Sequence, residues 1–228
     1  MINTGPTPVE PRPASTVLLL RGAAPWEVLM MRRPGGSDFA PGAHVFPGGS
    51  LHSEDHAFED PFKAAAIREM FEELGILLAR GRRGFARAAD CEQVRTRLEA
   101  GAGFNDALRE AGLAAAFDRL AYFANVITPV LLSRRFDTRF YLARLPPGQH
   151  VHPHAGEVDG WLWVDPVKAA ADLDFNMVFA TRRVLAQVAS ESDAARLIAR
   201  ARRRRTIRAV TPVVRIGEDG KITVVVSN

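Results

Sequence analysis

The composition of this chain is that of a globular protein. Of its 228 residues, 47% are hydrophobic and 25% are charged, which excludes a disordered or collagen-like chain. The 30 lysines and arginines against 26 acidic residues leave a net charge of +4, which is too small by itself to indicate a nucleic-acid-binding protein. The single cysteine, Cys91, permits no disulfide within the chain, and no signal-peptide or membrane-spanning pattern is evident. We therefore expect a cytoplasmic protein that does not associate with membranes.

The chain predicts a single domain with a short lead-in. Residues 1–13 contain four prolines and predict a flexible N-terminal segment. From residue 14 to residue 228 we find no internal repeat and no linker that would separate two domains. The predicted domain therefore spans 14–228, with a helical insertion at about 80–120 and a C-terminal extension at about 190–228.

Two strands and a long loop open the predicted domain. The apolar runs 15–20 and 26–31 are strand-like, and the turn residues between them include Gly22 and Pro25. The segment that follows, 34–49, is rich in glycine and proline. A loop of this length and composition inside a domain is usually either disordered or functional.

The most clearly delimited element is a helix between Asp60 and Gly75. Asp60 is a favourable N-cap, Pro61 suits the first helical position, and Gly75 suits the stop. Four apolar residues recur at helical spacing and predict the buried face: Ala64, Ile67, Phe71 and Leu74.

The second half of the chain mixes strands and helices. The alanine-, arginine- and leucine-rich segment 80–120 predicts two or three short helices. We predict strands at 123–132, 136–143 and 160–164, helices at 166–171, 176–188 and 193–205, and two final strands at 207–216 and 221–226 around a turn at 217–220.

Three carboxylates share one face of the predicted helix. Glu69, Glu72 and Glu73 stand at positions i, i+3 and i+4, where side chains are neighbours on a helix surface. Three adjacent like charges repel one another, and a divalent cation would neutralise them. Carboxylate oxygens suit a hard ion such as Mg²⁺ or Mn²⁺. Taken alone, a solvated acidic face is the alternative interpretation.

The string from Arg68 to Ile76, Arg-Glu-Met-Phe-Glu-Glu-Leu-Gly-Ile, follows a glycine-rich loop and resembles the Nudix box. The second half of the family pattern matches at every specified position. Arg68 follows Gly49 by 19 positions, where the pattern has 14, so roughly five residues are inserted within 52–59. The resemblance implies an α/β (α+β) Nudix fold, in which a mixed sheet lies between helices, with a helical insertion after the box helix. It also implies a hydrolase that cleaves a nucleoside diphosphate linked to another group and depends on Mg²⁺ or Mn²⁺.

The resemblance also assigns roles to residues of the box. Glu69, Glu72 and Glu73 would be metal ligands, the Gly48 carbonyl would be a further ligand, and Arg68 would position a glutamate. Asp60 would either replace the first glutamate of the pattern or only cap the helix, and we favour the cap.

A further candidate catalytic residue lies outside the box. Glu157 lies in a loop that precedes a strand. In the family, such a loop often supplies a further catalytic glutamate as base or metal ligand. A surface acid is the alternative.

The segment before the box resembles the coenzyme A motif of the coenzyme A diphosphatase branch. Arg33, Gly42 and the tetrad at 46–49 fall in register, whereas Asp38 stands where that motif has a second arginine. Further stretches at 77–80, 128–129 and 135–140 resemble the peroxisomal-type acyl-coenzyme A diphosphatases and their bacterial relatives. The predicted substrate-binding residues are Arg33, Gly42, Phe46, Gly49, Arg135 and Phe136.

The predicted reaction is cleavage of the diphosphate of coenzyme A or an acyl-coenzyme A to 3′,5′-ADP and (acyl-)phosphopantetheine. An ADP-sugar or a dinucleotide is the alternative substrate, and a catalytically silent Nudix-like module that binds a nucleotide or nucleic acid is the second alternative. The arginine-rich run 196–208 lacks interleaved aromatic residues, so we do not expect nucleic acid as a partner. The resemblance is compatible with a homodimer.

Overall fold

The computed structural model describes residues 2–3, 5, 7–37, 39–154, 156–216 and 222–225. The predicted turn at 217–220 and Asp38 lie outside the described residues. The strands, in chain order, are β1 (Arg12–Gly22), β2 (Trp26–Arg32), β3 (His44–Val45), β4 (Gly48–Ser50), β5 (Ala79–Gly81), β6 (Gly84–Phe85), β7 (Ala114–Ala115), β8 (Ala121–Ile127), β9 (Phe136–Arg144), β10 (Gly160–Val164), β11 (Ala209–Val210), β12 (Val213–Ile216) and β13 (Ile222–Val225).

The helices alternate with these strands. They are α1 (Pro61–Leu74), α2 (Ala88–Glu99), α3 (Phe104–Glu110), α4 (Pro166–Ala171), α5 (Phe179–Ala189) and α6 (Ala194–Arg203), with 3₁₀ turns at Ser53–Ala57 and Phe117–Arg119.

A mixed sheet forms the centre of the domain. Its strands follow the order β10-β2-β1-β9-β8-β11, with β3 paired to β2 and β4 paired to β1. Strand β1 runs parallel to β9 and antiparallel to both β2 and β4. Strand β1 is mostly buried along its length, as expected for a central strand that is covered on both faces.

Helices cover both faces of this sheet. Because side chains alternate along a strand, Val17 and Leu19 pack with α1 on one face. Leu18 and Leu20 pack with α5 and α6 on the other face. This arrangement confirms the predicted fold class, a mixed sheet sandwiched between helices.

Helix α1 has the predicted limits. The Asp60 carboxylate accepts a hydrogen bond from the Lys63 N–H (3.1 Å), and Pro61 is the first helical residue. The helix ends at Gly75, which adopts φ 69°, a left-handed conformation that glycine adopts without strain. Asp60 is therefore the N-cap of the box helix.

The segment 80–120 differs from the prediction, which was helical throughout. Helices α2 and α3 are present, but the segment also contains a small sheet of order β6-β5-β7, with β5 and β6 before α2 and β7 after α3. Strand β6 begins at Gly84, which adopts φ 99° and pairs with Gly81, and β7 pairs with β5 through Ala79 and Ala115. Short alanine-rich strands have no apolar alternation, so the sequence pattern did not indicate them.

Three strand boundaries also differ from the prediction. Strand β1 begins at Arg12, within the segment predicted to be a flexible lead-in, because it pairs with β9 there. Strand β8 ends at Ile127, just before Pro129, which has no N–H to donate to a ladder. The predicted strand 207–216 is split at Pro212 into β11, which pairs with β8, and β12, which pairs with β13.

Among the described residues, no helix combines the length and the apolar character needed to cross a bilayer.

Candidate active site

The Arg68 guanidinium forms the centre of the predicted site and is fully buried. Its Nε and Nη2 atoms donate to the two oxygens of Asp55 (3.1 and 3.0 Å). Its Nη1 atom donates to Glu69 Oε1 (2.9 Å) and to Glu72 Oε2 (2.8 Å). Nη2 also donates to the Ser50 carbonyl (3.1 Å). One cation therefore fixes two carboxylates of the box and joins them to the preceding loop.

Asp55 is a site residue that the sequence analysis missed. It lies in the 3₁₀ turn before α1, is fully buried, and accepts a further hydrogen bond from the His52 N–H (2.7 Å). A buried guanidinium requires a paired carboxylate, and the bidentate geometry suits arginine. Asp55 lies within the insertion that breaks the family spacing. The only signal in the sequence was that the insertion contains acidic residues. The distance between Asp55 and Arg68 matches no known pattern, so nothing distinguished Asp55 from the other acids there.

Two glycines allow the loop to contact the other carboxylates directly. The Gly48 N–H donates to Glu73 Oε2 (2.9 Å). A Cβ atom on Gly49 would lie 2.5 Å from the Glu69 carboxylate, and one on Gly48 (φ 151°) would lie 2.2 Å from the Ser15 carbonyl oxygen. A Cβ atom at either position would clash with these neighbours, which explains why both residues are glycine.

The three glutamates carry more negative charge than their surroundings compensate. Burial raises the pKa of Glu69, and burial together with the Glu69 charge raises the pKa of Glu72 to about 7, although Arg68 opposes both shifts. Burial and the charge of Glu69 raise the pKa of Glu73 well above its ordinary value, and the Gly48 hydrogen bond opposes this shift. A cation would relieve this cluster by favouring all three ionised forms.

Glu157 lies close enough to this cluster to influence it. Its negative charge contributes to the raised pKa values of Glu72 and Glu73. The loop is held there because the His154 N–H donates to the Glu73 carbonyl (3.1 Å) at the end of α1. The Glu157 side chain is about half exposed (47%). The fold therefore brings the predicted downstream acid to the box.

A cavity of about 510 Å³ lies beside the carboxylates. Gly48 and Gly49 line it, and the same two residues contact Glu73 and Glu69. Thr16 also lines the cavity, and Thr16 belongs to the sheet face opposite α1 because it alternates with Val17. The carboxylates themselves are not part of the lining. Strand β4 (Gly48–Ser50), called the glycine strand below, lies between the cluster and the cavity and borders both.

Four of the predicted substrate-binding residues line this cavity: Arg33, Phe46, Gly49 and Phe136. The Arg33 Nε atom donates to the Phe39 carbonyl (2.9 Å). The Phe39 and Phe136 rings meet edge to face, with centroids 5.5 Å apart. These aromatic side chains provide an apolar surface on which a nucleobase or another planar group can pack.

Two other predicted substrate-binding residues lie elsewhere. Gly42 is not among the lining residues and forms a turn at φ 68°. Arg135 is buried, and its guanidinium donates to the carbonyls of Thr128 (3.1 Å) and Val9 (2.6 Å). Its position contradicts the interpretation that it contacts substrate phosphates. The neighbouring Arg134 lines the cavity instead, which the sequence analysis did not distinguish.

The residues present are suitable ligands for a hard divalent cation. Glu69, Glu72 and Glu73 offer only oxygen donors, as Mg²⁺ and Mn²⁺ prefer. Within the described part of the chain, no three ligating side chains converge on one point. Mg²⁺ is commonly held by one or two carboxylates together with water and substrate phosphates, so the donor chemistry fits.

Comparison with known proteins identifies the family. The model named NUDIX domain matches residues 10–97, a range that includes the glycine strand, Asp55 and the whole of α1. Residues 10–97 of this chain therefore carry a NUDIX domain.

Individual relatives agree with this assignment. The chain is 33% identical over 141 residues to "Putative nudix hydrolase 7" of Caenorhabditis elegans, which covers 61% of this chain and 46% of that protein. It is 29% identical over 235 residues to the acyl-coenzyme A diphosphatase NUDT19 of Gallus gallus, which covers 69% of this chain and 62% of that protein. The chain therefore spans about half to three fifths of the length of these relatives.

A solved structure supports the fold. A NUDIX hydrolase from Alicyclobacillus acidocaldarius superimposes with a TM-score of 0.72 at 26% identity. The match covers 84% of this chain and 96% of that one. The arrangement of sheet and helices described above is thus shared with a member of the same superfamily.

Proposed function

We propose that this Nudix chain is a divalent-metal-dependent hydrolase that cleaves the diphosphate linkage of coenzyme A or an acyl-coenzyme A. The products would be 3′,5′-ADP and phosphopantetheine or its acylated form. The observation that carries the hydrolase proposal is the set of three glutamates held by Arg68 and the glycine strand at the edge of a cavity. A protein that only binds nucleotides has no need of three crowded carboxylates.

The choice of coenzyme A rests on two further observations. Relatives named acyl-coenzyme A diphosphatase NUDT19 are 29% identical in Gallus gallus and 26% identical in Homo sapiens. Arg33 and the strand residues that complete the coenzyme A motif line the cavity. Both observations support an elongated substrate that runs from the carboxylates into the cavity.

Each residue of the site would have a distinct task. A divalent ion would be held by one or two of the carboxylates of Glu69, Glu72 and Glu73 together with water and the substrate diphosphate. It would neutralise the diphosphate and lower the pKa of a water molecule. Arg68 and Asp55 would hold Glu69 and Glu72 in place from the buried side of α1. Glu157, which is partly exposed beside the box, would accept a proton from the attacking water.

Another nucleoside diphosphate derivative is the second candidate. Asp38 replaces the second arginine of the coenzyme A motif, and an acid there would repel a phosphate. An ADP-sugar or a dinucleotide carries fewer phosphate groups outside the diphosphate and would tolerate this change better.

A substrate panel tests the proposal. Coenzyme A, acetyl-coenzyme A, ADP-ribose and a diadenosine polyphosphate would each be incubated with Mg²⁺ or Mn²⁺, and products would be identified by mass spectrometry. We expect the highest kcat/KM for a coenzyme A substrate, and no turnover when EDTA removes the metal.

Variants provide the matched control. Glu73→Gln removes a carboxylate of the cluster and should lower kcat at least about 100-fold. Glu59→Gln, which removes an exposed acid just before α1, should leave kcat unchanged. Faster cleavage of ADP-ribose than of coenzyme A would refute the substrate assignment, and absence of turnover on every diphosphate would refute the hydrolase proposal.

A further inference from the structure

The cavity has a polar end that the carboxylate cluster does not explain, at the start of α5. The four residues Val178, Phe179, Ala180 and Thr181 line it there. Val178 holds the N-cap position without a side-chain cap, and the first turn contains no acidic residue. The first amide bonded to this end is that of Arg182, which donates to the Val178 carbonyl (3.0 Å). The amides of residues 179–181 therefore have no acceptor within the helix.

Thr181 adds a second feature to this end. Its side chain is only 4% exposed and lines the cavity. Among the described residues its hydroxyl has no hydrogen-bond partner, and its oxygen is not one of the fully buried atoms that lack a partner, so it reaches the cavity. A hydroxyl that faces the cavity beside free amides can donate to a ligand that accepts hydrogen bonds.

Neighbouring contacts hold the start of α5 in place. The Arg182 guanidinium donates to the carbonyls of Asp172 (2.9 Å) and Phe175 (2.6 Å). The Asn176 carbonyl accepts from the His44 N–H (2.7 Å), which ties α5 to the loop that continues into the glycine strand. Residues 44–50 thus contact both regions: His44 bonds to the segment before α5, and Gly48 bonds to Glu73 of the carboxylate cluster.

We infer that the start of α5 binds a phosphate group of the substrate other than the diphosphate that is cleaved. Free amides and the positive end of a helix dipole favour a phosphate, and the Thr181 hydroxyl provides a further donor. The inference rests on the proposed function and narrows its substrate class to nucleoside diphosphate derivatives that carry an additional phosphate ester. The 3′-phosphate of coenzyme A is such a group, and the apolar walls at Phe46 and Phe136 would lie against its nucleoside.

Nucleotide binding tests the inference without requiring turnover. The full chain would be titrated calorimetrically with adenosine 3′,5′-bisphosphate and with AMP, which differ only in the 3′-phosphate. We expect roughly tenfold tighter binding of the bisphosphate, because hydrogen bonds to a charged group are stronger than neutral ones.

Two pairs of variants test whether the start of α5 is responsible for the tighter binding of the bisphosphate. Val178→Asp places a carboxylate over the free amides and should abolish the preference, whereas Gln187→Glu adds the same charge on the same helix two turns away and should retain it. Thr181→Val should lower the preference several-fold, and Thr181→Ser, which keeps the hydroxyl, should restore it.

The outcomes separate this inference from the proposed function. Equal binding of both nucleotides by the wild-type protein would overturn the inference, as would equal losses in Val178→Asp and Gln187→Glu. A retained preference for the bisphosphate without hydrolysis of any diphosphate would overturn the proposed function and leave the phosphate site standing.

Discussion

The two ends of the proposed substrate site differ in how their polar groups are satisfied. At the box, Arg68, Asp55, Glu69 and Glu72 form one network in which every guanidinium nitrogen donates. At the start of α5, the amides of residues 179–181 and the Thr181 hydroxyl have no partner among the residues that the structure describes. The box is thus fixed in position by its own contacts, whereas the α5 end is left ready to accept hydrogen bonds from a ligand. Substitutions at the box should lower stability and activity together. Substitutions at the start of α5 should change ligand binding without the same loss of stability.

The largest effect is expected from Arg68→Met. The substitution leaves Asp55 buried without its partner, and breaking a buried ion pair from one side costs about 3–5 kcal/mol. Urea denaturation would measure the loss. The double variant Arg68→Met with Asp55→Leu should recover most of that stability but not the activity, because Glu69 and Glu72 are no longer held. A double variant as active as wild type would show that Arg68 serves stability alone.

Gly49→Ala should have the next largest effect. A Cβ atom there would meet the Glu69 carboxylate at 2.5 Å, and overpacking of this kind costs about 1–3 kcal/mol. Since the carboxylate must move, kcat should fall as well, which steady-state kinetics would detect. Gly36→Ala is the matched control, because nothing lies within 4 Å of its added Cβ atom. Equal behaviour of the two variants would contradict the steric role of Gly49.

The pH dependence of stability reports on the crowded carboxylates. Burial raises the pKa of Glu72 to about 7, so between its ordinary pKa and that value the folded state binds more protons than the unfolded state. Stability should therefore fall, relative to Glu72→Gln, as pH rises from about 5 to about 8 in EDTA. Mg²⁺ should stabilise the protein more at the higher pH, because protons no longer compete for the carboxylates. Urea midpoints with and without metal would measure both trends. If the difference in midpoint between wild type and Glu72→Gln does not change with pH, the proposed excess of negative charge is contradicted.

The smallest effect is a gain at the other end of the site. Val178→Asp supplies the side-chain cap that α5 lacks and should raise stability by about 0.5–1 kcal/mol, seen as a higher Tm. The same variant should lose the preference for adenosine 3′,5′-bisphosphate. A gain in stability with loss of binding would confirm that the start of α5 is left uncapped for a ligand. A lower Tm would contradict that view.

Local signals were sufficient for much of this protein. The limits of α1 followed from Asp60, Pro61 and Gly75, and the shared face of Glu69, Glu72 and Glu73 followed from helical spacing, since both depend only on nearby residues. The apolar run at 15–20 likewise predicted a strand. The two faces of the sheet then required helices on both sides, as the Nudix resemblance implied.

Contacts between distant segments decided the rest. Asp55 became the partner of Arg68 because an irregular insertion folds back onto α1, and no spacing rule describes that path. Arg135 and Arg134 are adjacent in sequence, yet only packing sends the first to backbone carbonyls and the second to the cavity. The free end of α5 meets the cavity because the His44 loop holds it there. The sequence by itself thus determined which chemical groups are present and which helix carries them, because helix periodicity is local. Only the tertiary structure decided which of those groups are paired and which remain available, because pairing depends on residues far apart in the chain.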